Sequence, residues 1–129
     1  MAASLTYSRM QAITTEGERA FAQLYVRLAR WCGELLDLCR AQELQRYDAL
    51  IERSIYVIGI MDGLIDVSRH YQLACRILSL HRFAVRSLVK AKLNPGDGEL
   101  ADLAKVFATL GETFELMARR GAGREDAPG

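Results

Sequence analysis

Few side chains in this 129-residue sequence could support chemistry, and their spacing argues against most of it. His70 and His81 are its two imidazoles, the residue type that most readily moves protons or ligates metals near neutral pH. His81 has no carboxylate or cysteine three or four positions away on its own helix, and His70 falls in a polar link. A packing role and a contact with a bound partner both stay open for His81. Cys32 and Cys39 stand seven apart on one helical face, which could present a metal pair. One helix cannot complete a tetrahedral site, so small packing side chains are the expectation. Together with Cys75 the thiols are odd in number and lack CxxC spacing, which fits reduced cysteines better than a disulfide framework. HExxH, P-loop, GxGxxG and Glu-x-x-His patterns are all absent from the sequence. No enzyme activity, metal or cofactor is therefore expected.

The residues must then work through the elements that carry them. Length fits one domain able to bury a core without disulfides. Hydrophobic residues make up 50% and charged residues 26%, which excludes a wholly disordered chain. A net charge of +1 supplies no long-range field toward nucleic acid or an anionic membrane. The longest apolar run, Ile55 to Met61, falls far short of the ~20 residues that span a bilayer. With no basic-then-apolar leader at the start, a cytoplasmic address is expected.

Hydrophobic spacing predicts an all-α protein, an antiparallel up-down four-helix bundle over residues 15–120, with an N-terminal arm (1–14) and a mobile tail (121–129). Thr15 and Glu18 form a capping box that opens the first helix, which carries Phe21, Leu24, Tyr25, Leu28, Cys32, Leu35 and Cys39 at steps of three and four. The next link contains no glycine or proline and is placed near Arg40 to Glu43 by polarity alone. The second helix is expected to run to about Val67; a buried strand over Ile55 to Met61 is the alternative. A link at Ser68 to His70 precedes the third helix, and Asn94-Pro95-Gly96-Asp97-Gly98 is the clearest turn. Leu100, Leu103, Phe107, Leu110, Phe114 and Met117 form the seam of the fourth helix.

What exceeds an ordinary bundle is apolar surface. The second helix has Ile51, Ile55, Ile58, Met61 and Ile65 on one stripe and Leu50, Val57 and Leu64 on a neighbouring one, and its broad face of Val57, Ile60, Met61 and Leu64 is expected to meet a partner. Ile60 falls off the main stripe. The arm contributes Leu5, Tyr7, Met10 and Ile13. Either the arm covers the extra surface or a partner does, with Tyr7, Met10 and Ile13 acting as a gate.

The segment Tyr7-Ser8-Arg9-Met10-Gln11-Ala12-Ile13-Thr14-Thr15, followed by Leu24-Tyr25, resembles the start of the FliS-type flagellin export chaperones. So do Ile51-Glu52-Arg53-Ser54 with Val57-Ile58, Met61 and Leu64-Ile65-Asp66, and Ser79-Leu80-His81-Arg82-Phe83 with Leu88-Val89-Lys90-Ala91. Coverage runs from about Tyr7 to Phe114. Val26-Arg27 stands where that family has Asp-Gly, and His81-Arg82-Phe83 where it has Tyr-Asp-Tyr. The resemblance implies a chaperone that binds the carboxy-terminal segment of flagellin, prevents early polymerisation and delivers it to the flagellar type III export gate. It also implies that Leu24, Tyr25, His81 and Phe83 contribute to partner binding. A binding or regulatory module with a different client is the alternative, and the oligomeric state, a homodimer included, stays open.

Overall fold

Apolar side chains at steps of three and four turn into helices wherever no proline or side-chain competitor interrupts them. The structure, a computed structural model, describes residues 17–96 and 99–126, with side chains through residue 120. It contains α1 (Glu18–Arg40), α2 (Leu44–Gly63), α3 (Tyr71–Leu93) and α4 (Glu99–Asp126), and no strand among the described residues. The all-α, four-helix bundle expectation holds, and Ile55 to Met61 lies inside α2. Thr15 and the arm lie outside the described residues.

Contacts group the chain into two compact units, Met1–Arg27 with Val106–Gly129, and Leu28–Lys105. In the first, the start of α1 packs antiparallel on the later part of α4 through an aromatic cluster. Phe21 meets Phe114 at a ring-centre distance of 5.5 Å, and Tyr25 meets Phe107 at 6.3 Å and Phe114 at 5.4 Å. Close approach there needs a small residue at Gly111, where a Cβ would come within 3.1 Å of Val26 Cγ2 and 3.5 Å of the Ala22 carbonyl.

In the second unit α2 and α3 form an antiparallel hairpin whose facing residues include Ile51, Ile58 and Met61 from α2 and Ala74, Ile77, Ala84, Leu88 and Ala91 from α3, all buried. Tyr47 joins the far ends: its hydroxyl donates to the Ala91 carbonyl at 2.6 Å. The reason lies four residues on. Pro95 has no N–H, so the Ala91 carbonyl has no helical donor at that position, and the phenol supplies one. Tyr47→Phe should therefore cost about 1–3 kcal/mol, the penalty of stranding a buried acceptor. A denaturant midpoint unchanged from the parent would show that the carbonyl finds another donor.

The link without glycine sits where polarity placed it. α1 ends in a Schellman arrangement, with Glu43 N–H donating to the Leu38 carbonyl at 3.0 Å and Gln42 N–H to the Cys39 carbonyl at 3.1 Å. Gln42 takes φ 58°, the left-handed conformation usually assigned to glycine. Holding a side chain there costs ~1–2 kcal/mol. Part of that is recovered by Gln42→Gly, which should raise stability by about 0.5–1 kcal/mol, read as a higher thermal midpoint; no change, or a fall, would show that the side chain compensates locally.

Two boundaries differ from expectation. α2 stops at Gly63 rather than Val67, although Leu64, Ile65 and Val67 continue the apolar spacing. Asp66 competes with the helix: its carboxylate accepts from the Ser68 N–H at 3.0 Å and the Ser68 hydroxyl at 2.6 Å, and pairs with Arg69 at 3.2 Å. At the other end, α4 continues to Asp126 where a tail was expected from Gly121. Two glycines there cost ~1 kcal/mol each against alanine, which weakens a helix without stopping it, and no proline intervenes before Pro128.

Candidate partner-binding site

A face that recognises another polypeptide must be apolar and uncovered. α2 carries such a face opposite its buried stripe. Tyr56 and Ile60 on α2 and its C-cap residue Leu64 follow one another at steps of four, at 69%, 46% and 60% exposure, and Val67 in the turn beyond the helix is exposed as well. Helical spacing stacks these side chains into one ridge. Beside it lie Gly59 and Gly63, where an added Cβ would meet nothing within 4 Å. The ridge and its small-residue flank leave neighbouring apolar side chains in water, the kind of surface that a polypeptide partner covers.

The residues expected to bind a partner separate into three groups. Ile60, Leu64 and Phe83 are exposed, the last at 48%, and Val57 and Leu24 are half-buried. Tyr25, Met61 and His81 are not available: their exposures are 0%, 0% and 1%. This corrects their assignment to partner binding. Tyr25 is enclosed by the aromatic cluster, and Met61 lies on the inner side of α2 one residue from Ile60, a rotation of about 100° around the helix. Tyr7, Met10 and Ile13 lie outside the described residues.

His81 finds a partner that its own helix does not offer. Its Nδ1 lies 2.5 Å from Asp62 Oδ1 on α2, a pair that closes the hairpin near its turn. The packing alternative for this histidine is the one the geometry supports. Near the hairpin's other end, Lys92 Nζ lies 2.8 Å from Glu52 Oε1; the ammonium holds the Glu52 carboxyl below its usual range, and Glu52 in turn pushes the Lys92 amine up. Both groups are in water, so this pair sets orientation more than stability.

Among the described residues no three of histidine, cysteine, aspartate and glutamate gather closely enough to hold a metal ion. The cysteines are unpaired thiols, and burial pushes the Cys32 thiol up to about 12, which keeps it neutral and unreactive. Cys32 thus packs as expected, whereas Cys39 is only half-buried. No helix among the described residues is long and apolar enough to cross a membrane.

Tyr56 belongs to this face although the sequence reasoning above did not select it. The signal was its place four residues before Ile60 and eight before Leu64; what obscured it was the neighbouring core stripe, which makes both sides of α2 apolar. Asp62 was missed as the partner of His81 because the two are 19 positions apart. The chain matches no family model, no curated protein and no solved structure.

Proposed function

We propose that this protein is a cytoplasmic export chaperone that holds a helical segment of another polypeptide, with the carboxy-terminal segment of flagellin as its client and the flagellar type III export gate as its destination. The observation that carries the proposal is the uncovered ridge Tyr56–Ile60–Leu64 on a helix whose opposite side already fills the core. An amphipathic client helix laid along the ridge removes it from water, with the flank at Gly59 and Gly63 leaving room for close backbone approach. A segment that folds only on binding surrenders ~2–5 kcal/mol or more to ordering, which keeps the complex releasable at an export gate. The resemblance of the Leu24-Tyr25, Ile51-to-Asp66 and Ser79-to-Phe83 segments to FliS-type chaperones supports flagellin as the client, and nothing about the ridge itself is specific to it.

Co-expression with a flagellin carboxy-terminal segment tests the proposal. A complex that co-elutes in size-exclusion chromatography and gains helical circular dichroism beyond the sum of its parts supports it. If the segment stays free at tens of micromolar while another helical segment binds the same ridge, the chain is a binding module for a different client.

A further inference from the structure

Charge is unevenly distributed among the helices. α3 carries Arg76, Arg82, Arg86, Lys90 and Lys92 and no acidic residue at all, in a chain whose net charge is +1. Lys90 and Lys92 are engaged, with Glu99 at 3.4 Å and Glu52 at 2.8 Å. Arg76, Arg82 and Arg86 are exposed and enter no ion pair among the described residues. Arg82 and Arg86 stand four positions apart, a spacing at which like charges repel, so an external anion beside them would relieve a cost already present in the fold.

Their positions narrow the kind of anion. Arg76, Leu80, Phe83 and Arg86 recur at steps of three and four, so they share one outward face of α3. The two arginines bracket the two apolar side chains and stand about 15 Å apart along the axis. Leu80 and Phe83 are 37% and 48% exposed. Next to Arg76 lies an open hollow of about 510 Å³ whose lining among the described residues includes Cys75, Arg76, Ser79 and Leu80. A guanidinium grips a carboxylate or a phosphate through two parallel hydrogen bonds, and the exposed Leu80 and Phe83 between the arginines favour an occupant with apolar side chains over a phosphate backbone. Glu99 and Glu52, beside Lys90 and Lys92, also put negative charge at the end of any track a nucleic acid would follow.

We infer that the outward face of α3 is a second docking surface, for an acidic amphipathic helix of a protein partner bearing two carboxylates about three turns apart with apolar side chains between them. This surface is distinct from the ridge of Tyr56, Ile60 and Leu64 and does not depend on the identity of the client. Its two arginines match carboxylates eleven positions apart, which lie on one face of a helix at about 16 Å.

The test uses the full chain and fluorescein-labelled synthetic helical peptides with two glutamates spaced seven, eleven or fourteen positions apart around a leucine pair, plus a glutamine version of the eleven-spaced peptide. Fluorescence anisotropy should show the eleven-spaced acidic peptide binding best, the glutamine version at least about tenfold weaker, and affinity falling between 50 and 300 mM salt. Arg76→Glu with Arg86→Glu should abolish the preference for glutamate with an unchanged thermal midpoint, and Phe83→Ala should weaken every peptide several-fold. Equal binding of the acidic and glutamine peptides, no dependence on spacing, or no binding at 1 mM overturns the inference. So does tighter binding to a 12-base-pair DNA duplex, or to phosphatidylcholine vesicles containing 30% phosphatidylserine, than to the best peptide.

Discussion

Replacing Tyr25 with alanine is expected to destabilise the protein by about 3–5 kcal/mol, the range for deleting a large aromatic side chain from a packed interior. The ring is fully buried and within 5.4–6.3 Å of the ring centres of Phe21, Phe107 and Phe114. Its loss removes three aromatic contacts at once, each worth about 0.5–1.5 kcal/mol beyond the area buried. For a domain stable by ~5–15 kcal/mol this is a large fraction of the total. Urea unfolding followed by circular dichroism measures it. Tyr25→Phe keeps the ring and should retain most of the stability. A loss below 1 kcal/mol for the alanine variant would mean that α1 and α4 hold together without this cluster.

The second large effect is a contrast between adjacent positions. Ile60→Asp places a charge on exposed surface and should shift the thermal midpoint by no more than a few degrees, since surface changes mostly stay within about 0.5 kcal/mol. Met61→Asp puts an unpaired carboxylate where exposure is 0%, beside the core of the hairpin, and should abolish cooperative unfolding at room temperature. Binding reverses the order of interest. If the proposed client lies on the ridge, its affinity for the folded Ile60→Asp variant should fall at least about tenfold, because a charge would sit in the middle of the ridge and lose its water on binding. Unchanged affinity would remove the ridge from the proposed binding site and leave the bundle intact as a fold. Severe unfolding of Ile60→Asp would instead place that side chain in the core.

The helices were legible because burial imposes a period that local residue choice must respect. Phe21, Leu28 and Cys32 in α1 and Leu100, Leu103 and Phe107 in α4 are buried in the structure, as their spacing predicts. The turn at Asn94-Pro95-Gly96 was equally legible, because proline and glycine act through their own backbone and need no distant partner. The link at Ala41–Glu43 was placed by polarity, but Gln42 in the left-handed conformation was not foreseeable: any residue can be held there if the helix ends around it supply the hydrogen bonds.

Tertiary structure alone decided what pairs with what. The Asp62–His81 contact joins residues on different helices, and the Tyr47 hydroxyl reaches Ala91 across 44 positions, so neither leaves a local pattern. The same holds for the two sides of α2. Ile58, Ile60, Met61 and Leu64 are alike in hydrophobicity, and a period orders the stripes around the helix without saying how much of each is covered. Packing chose Ile58 and Met61 for the core, together with Ile51 and Tyr47, and left Ile60 and Leu64 in water. Solvent exclusion is a property of neighbouring helices rather than of a residue: the period set Ile58 on the main stripe and Ile60 off it, and only the fold showed that Ile55 and Ile65 of that stripe are no more than half-buried.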